Sequence, residues 1–423
     1  MPEAQFTKLS NGLPLLTVPM AGTKSATVLV LTRVGSRCEN SREQGLSHFL
    51  EHMLFKGTHK WPTAQELSQA LDGIGADFNA FTTKEYTGYY VKAAARHLPL
   101  ALEVLSDMVW RPKLDQAEMT REKKVICEEI KMYEENPLMH IGDLFEQALY
   151  HGSSLGVNIA GSQRSVTALT HAQLQGFWRS HYHPRNMLLA VAGKFSASDR
   201  KLMNNRFGDF KATGKPGSFK LFYPHYRSPQ VAIQFKETEQ VQLAIGWPAY
   251  GWGDKRLLAL ELLATILGGN MSSRLFLRLR EREGLCYSIR ASTDAYVGTG
   301  SFVVQAGLDK ARLELAIKLI RAELKRARRE VIPAAEINKA KEYIRGKFTL
   351  ALEDSSARAD YAAKHYFLEG SRETPEQHLT RLARVTASEL QAAAQDVLRD
   401  QRATLALIGP FKNQAPWRKL LVS

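Results

Sequence analysis

Along the chain, short apolar runs of strand character give way to longer stretches with a helical repeat, and the sequence passes through this succession twice. "LPLLTVPM" (13–20) and "SATVLVLTRVGS" (25–36) open the first pass, and "QVQLAIGWPA" (240–249) opens the second. Landmarks recur about half a chain apart. "MLLAVAGKF" (187–195) resembles "ATLALIGPF" (403–411), "EHMLFKG" (51–57) falls where "LATILGG" (263–269) sits, and "LDQAEMTREK" (114–123) resembles "IPAAEINKAK" (332–341). Self-similarity at this spacing predicts a duplicated α+β architecture, two homologous αβ sandwich domains in one chain. The stretch at 210–230, "FKATGKPGSFKLFYPHYRSPQ", is rich in Gly, Pro and Lys and lacks a period. It places the first domain at 1–212, a linker at 213–227 and the second domain at 228–423.

Composition narrows the class. A length of 423 residues suits two domains, and 44% hydrophobic with 24% charged residues is the usage of a globular protein. No apolar run reaches the ~18 residues needed to span a bilayer, and the opening residues lack a targeting pattern, so no membrane association and a cytoplasmic location are expected. Cys38, Cys127 and Cys286 are too scattered for a disulfide framework or a cysteine metal site and read as reduced thiols. The formal charge of +14 raises the question of nucleic acid. Its basic residues, however, are dispersed over helical stretches such as "RLELAIKLIRAELKRARRE" (312–330), the pattern of solvated helix faces, so a nucleic-acid partner is not expected.

Three polar groups interrupt the apolar run "LSHFLEHMLFKG" (46–57): His48, Glu51 and His52. Gly45 and Gly57 bracket a helix in which His48 and His52 stand about 40° apart on one face, so both imidazoles can reach one ion. Leu46, Phe49, Leu50 and Met53 leave little water to satisfy all three groups, and a metal ion satisfies them together. The spacing H-x-x-E-H is the inverted zincin pattern. A catalytic zinc takes a third protein ligand and keeps one position for water. In "MTREKKVICEEIKMYEENP" (119–137), a helical projection puts Glu122, Val125, Ile126, Glu129, Met132 and Tyr133 on one stripe and Glu128 on the charged face opposite. Glu129 is assigned as the third ligand, and Glu122, two turns earlier, as a carboxylate behind the ligands that holds the spare nitrogen of a histidine. One Zn²⁺ per chain follows, with Glu51 placed to take the proton of the attacking water.

With these residues in place the chain resembles the insulinase (pitrilysin) family of zinc peptidases, and more narrowly a bacterial branch similar to the β subunit of mitochondrial processing peptidase. "HFLEHMLFKGT", "EEIKMYEENP" and "LGGNMSSRLFLRLREREGLCYS" carry the likeness over essentially the whole chain. The resemblance implies zinc on His48, His52 and Glu129, Glu51 as base, and two homologous domains per chain paired into a dimer that encloses a peptide chamber. It implies that Arg280 and Tyr287 of "LREREGLCYS" bind the substrate carbonyl, a role their donor chemistry suits. It further implies that Asn79, Ala80 and Phe81, in "ADFNAFTTKEYTGYYV" (76–91), pair a bound peptide as an added strand. Because one chain carries both the zinc motif and the Arg/Tyr pair, the expectation is a homodimer that supplies Arg280 and Tyr287 in trans. A paralogous subunit in place of one copy is an open alternative. The expected activity is endopeptidase action on short or unfolded peptides. The rivals are a catalytically silent structural or assembly subunit of the same fold and a basic peptide- or RNA-binding module. A glycine-rich loop reduced to "LGGNMSSRL" (267–275) speaks against an α-type role.

Overall fold

A computed structural model describes residues 4–211, 214, 218–226 and 228–422. Of the expected linker, residues 213, 215–217 and 227 lie outside the described residues, as does residue 212 before it. The chain forms two compact units. The first comprises Met1–Lys131, Val157–Phe219 and Thr349–Glu376, and the second comprises Met132–Gly156, Lys220–Phe348 and Gln377–Ser423. Both are mixed α+β bodies, as the pattern predicts. Among the described residues no helix is long and apolar enough to cross a membrane, and the three cysteines are free thiols.

The first unit is built on β1 (Gln5–Lys8), β2 (Pro14–Pro19), β3 (Ser25–Thr32), β4 (Asp77–Thr82), β5 (Thr87–Ala94) and β6 (Met187–Gly193), ordered β1-β2-β6-β3-β5-β4. The second is built on β7 (Gln230–Phe235), β8 (Gln240–Ala249), β9 (Cys286–Tyr296), β10 (Thr299–Asp309) and β11 (Thr404–Gly409), ordered β7-β11-β8-β10-β9. Without β1 the two orders are one plan. In each, the first and last strands in sequence lie parallel, β2 with β6 and β7 with β11, and every other pair is antiparallel.

The duplication extends to single contacts. Lys123 Nζ donates to the carbonyls of Thr167 and Leu169 at 2.8 and 2.6 Å. Lys341, its counterpart in the sequence repeat, donates to those of Ala383 and Val385 at 2.8 and 2.6 Å.

Both sheets are covered on two faces, which explains why β3 and β6 read as unbroken apolar runs rather than alternating ones. On one face of the first sheet, Val28, Val30, Leu189 and Val191 pack with helices Leu46–Leu54 and Leu98–Trp110. On the other, Leu29, Leu31, Leu188 and Ala190 meet Ala359, Ala363 and Phe367 of helix Ser355–Glu369. The second sheet repeats this arrangement: Ala244, Val303, Ala406 and Ile408 are capped by Ile141, Phe145 and Leu149 of helix Pro137–Leu149. Each unit therefore takes the helix on this face from the other half of the chain.

Candidate metal centre

Helix Leu46–Leu54 buries Leu46, Phe49, Leu50, Met53 and Leu54 completely and is thereby fixed against the first sheet. Its N-cap is Gly45, with φ of 91°, where an added Cβ would meet the carbonyl of Ala160 at 2.5 Å. Glycine can adopt this turn but offers no capping side chain. Glu39 supplies one from outside the helix: its carboxylate accepts from Gly45 N–H at 2.8 Å and Ser47 N–H at 2.7 Å. Burial pushes this carboxyl up to about 7, against the opposing pull of those N–H donors.

From this helix the imidazoles of His48 and His52 face each other, Nε2 to Nε2 at 3.3 Å. Glu129, on helix Gln116–Glu135, brings Oε2 to 3.7 Å from His48 Nε2 and 3.5 Å from His52 Nε2. Tetrahedral zinc with ligands at roughly 2.0–2.1 Å requires neighbouring donors about 3.3–3.4 Å apart, so this triangle fits the ion with little adjustment. The protonation states fit as well. Burial, and then the neighbouring His52, lower His48 to about 3, which keeps it neutral. His52 is half-buried, and its bond to Glu122 and the charges of Glu129, Glu122 and Glu51 outweigh the burial and raise its pKa. A metal would have to displace that proton.

Glu122 lies behind the pair. It accepts from His52 Nδ1–H at 2.8 Å and holds Lys56 Nζ at 2.7 Å. Although burial works against its charge, His52 and Lys56 keep its carboxyl below the ordinary value. Fixing hydrogen on Nδ1 leaves His52 Nε2 to present its lone pair to the cluster. Glu51 accepts a hydrogen bond from the Thr82 hydroxyl at the end of β4. Burial raises its pKa against the pull of Thr82 and His52, with Glu129 adding to the rise.

Asn79, Ala80 and Phe81 lie on β4, the edge of the first sheet, paired only with β5. Ala80 N–H donates to Asn79 Oδ1 at 2.9 Å, so the Asn79 side chain occupies a main-chain donor on this edge strand. Arg280 and Tyr287 belong to the second unit and also meet. Arg280 sits on a wide π-type helical segment, Phe276–Arg282, with its guanidinium carbon 5.0 Å from the ring centre of Tyr287, which is 78% exposed on the edge strand β9.

One expectation needs correction. Val125 and Met132, placed on the buried stripe with Glu129, are 51% and 52% exposed. The buried line runs through Met119, Glu122, Ile126 and Ile130, and Glu129, with a 26% exposed side chain, lies at its border. Glu128 is solvated and pairs with Lys131. Three contributors had no sequence signal: Glu39, whose capping partners lie six and eight residues on, Thr82, and Lys56.

Comparison with known proteins bears on this geometry. Residues 16–163 match the family model described as insulinase (peptidase family M16), and residues 168–344 match the peptidase M16 inactive domain. An uncharacterised zinc protease of Streptomyces coelicolor is 34% identical over 96% of this chain and 90% of its own length. The uncharacterised zinc protease YmxG of Bacillus subtilis is 34% identical over 95% and 97%. A protease from Helicobacter pylori has the same fold, with a TM-score of 0.90 at 22% identity over 97% of this chain and 100% of that one. Relatives named for zinc support zinc as the cofactor. With identity of this extent along nearly the whole sequence, the chain belongs to the insulinase family of peptidases, M16.

Proposed function

We propose that the chain is a zinc-dependent endopeptidase acting on short or unfolded peptides, with one zinc per chain held by His48, His52 and Glu129. The convergence of those three donors, with Glu51 on the same helix, carries the reading. When bound, zinc supplies an open position at which water is acidified to near neutrality and a carbonyl is polarised.

Glu51 takes a proton from the attacking water and returns it to the departing amine, and a carboxyl raised above its ordinary value is suited to both transfers. Thr82 holds one oxygen of Glu51, so the other is left for this exchange. Glu122 and Lys56 fix the ring of His52. The edge of β4 offers main-chain pairing to an extended peptide, which is largely indifferent to side chains and therefore favours unfolded substrates over folded ones. Arg280 and Tyr287 supply donors to the substrate carbonyl, in a cytoplasmic homodimer from the partner copy; their mutual contact and the exposure of Tyr287 support a shared role.

The test is cleavage of an unfolded peptide library by wild type and Glu51→Gln. The variant should retain zinc and lose on the order of a hundredfold or more in kcat/KM, the worth of a positioned base. Undiminished cleavage would remove the mechanism. A wild type that holds zinc yet cleaves nothing would favour the silent assembly subunit.

A further inference from the structure

The duplicated plan identifies, in the second unit, the helix pair equivalent to the one that carries the donor cluster. Helix Leu257–Gly268 follows β8 as Leu46–Leu54 follows β3, and helix Ala334–Ala351 corresponds to Gln116–Glu135 through the Lys341 and Lys123 anchors. Neither helix of the second pair contains a histidine, and the counterpart of Glu122 in the sequence repeat is Ala340. Shortening that side chain leaves space: a cavity of about 220 Å³, lined by Ala340 and by a group of cations.

Among these is Arg274, whose side chain is only 9% exposed. Its Nε and Nη2 grip the two carboxylate oxygens of Glu336 at 2.7 and 3.1 Å. Both oxygens of that partner are engaged, and Arg274 Nη1 is buried with no acceptor among the described residues. A charged donor left without an acceptor in the interior is costly, and it keeps the guanidinium of Arg274 under-compensated beside the cavity.

The other walls carry mostly the same sign, with Glu323 the one carboxylate on them besides Glu336. Arg278, Arg282, Arg326 and Lys339 line the cavity. Arg278 pairs with Glu283 at 3.2 Å, and Arg326 with Glu330 at 2.8 Å and Glu323 at 3.5 Å. Lys339 bonds only the carbonyl of Ser272, at 2.9 Å, and Arg282 has no acidic partner among the described residues. Three of the five cations thus have carboxylate partners, and the two without one among the described residues are Arg282 and Lys339.

We propose that this cavity is an oxyanion site that takes a phosphate group, either as the free ion or as the terminal group of a small phosphorylated metabolite. Guanidinium forks and an ammonium around one space match the several oxygens of phosphate better than the two of a carboxylate, and the volume leaves room beyond a single ion. On this reading the two copies of one helix pair have diverged to opposite ligand charge, a cation in the first and an anion in the second. The inference does not require peptidase activity.

Isothermal titration of the zinc-loaded chain with inorganic phosphate, and separately with glycerol 3-phosphate, at constant ionic strength tests it. One saturable site per chain with Kd at or below about 1 mM is expected for at least one of the two. The double variant Arg282→Gln, Lys339→Gln should weaken it by about tenfold or more while zinc content and thermal unfolding stay as in wild type. Tighter binding of the free ion identifies phosphate itself as the ligand, and tighter binding of the ester identifies a phosphorylated metabolite. The proposal is overturned if neither ligand binds saturably, if sulfate at the same ionic strength binds equally in wild type and double variant, or if binding survives the double variant and is lost in Glu129→Gln, which would place the phosphate at the metal.

Discussion

Replacing Glu122 with Gln removes one negative charge from behind the histidine pair while keeping the shape of the side chain. In the wild type the Glu122 carboxylate receives His52 Nδ1–H at 2.8 Å and Lys56 at 2.7 Å, in a buried position. The glutamine oxygen can still accept from His52, but a bond between a neutral amide and imidazole replaces a charge-assisted one, a difference of about 1–2 kcal/mol. Lys56 is then left without its counter-charge beside the site of a dication, which adds to the loss. Together these effects predict zinc affinity weakened by about 10- to 100-fold, the range found when carboxylates that orient ligating histidines are changed.

Competition against a chelator of known affinity, at fixed pH, measures the change. The charge term can be separated with Lys56→Met: the double variant Glu122→Gln, Lys56→Met should bind zinc more tightly than Glu122→Gln alone, because the stranded cation is gone. An affinity for zinc in Glu122→Gln equal to wild type would refute the reasoning, since it would mean that the ring of His52 is held by something other than this carboxylate.

Three further outcomes follow from the same geometry. The carboxyl of Glu39 stands at about 7 in the folded chain against an ordinary 4.5, so the folded state keeps a proton that the unfolded state releases as pH rises through that window. Zinc-free wild type, compared with Glu39→Gln by denaturant unfolding between pH 5 and 8, should lose up to about 3 kcal/mol of relative stability with rising pH, and a pH-independent difference would contradict this. Thr82→Val should leave zinc content unchanged while lowering kcat by about tenfold through a less ordered Glu51; an unchanged kcat would show that the hydroxyl does not position the base. Mixed chains carrying Glu51→Gln and Tyr287→Phe should recover part of the activity that each lacks alone, and failure to recover despite demonstrated subunit exchange would argue for sites completed within one chain.

The parts of the fold that depend on local pattern were legible. Alternating and continuous apolar runs mark β2, β3, β6, β8 and β11, and the repeat of landmarks reports two copies of one plan, which the strand orders share. What could not be read is which helix covers which sheet. Helices Pro137–Leu149 and Ser355–Glu369 are amphipathic segments like many others, and their crossing from one half of the chain to the sheet of the other is decided by packing over hundreds of residues.

The candidate centre divides in the same way. His48, Glu51 and His52 share one short helix, so 3.6-residue geometry brings the two imidazoles together. Glu129 depends on the helix phase, and a projection alone does not separate the border of a stripe from its buried line: Val125 and Met132, on the same stripe, are exposed. Glu39, Thr82 and Lys56 act through contacts that only the folded chain creates.

The account rests on three side chains sharing one ion, and metal analysis combined with zinc X-ray absorption addresses it most directly. Wild type should bind one zinc per chain with two imidazole nitrogens and a carboxylate oxygen at roughly 2.0–2.2 Å, and Glu128→Gln should match it, whereas Glu129→Gln should lose the ion or the carboxylate contribution. Equal zinc content and equal spectra in all three would contradict the assignment of Glu129 and, with it, the centre described above.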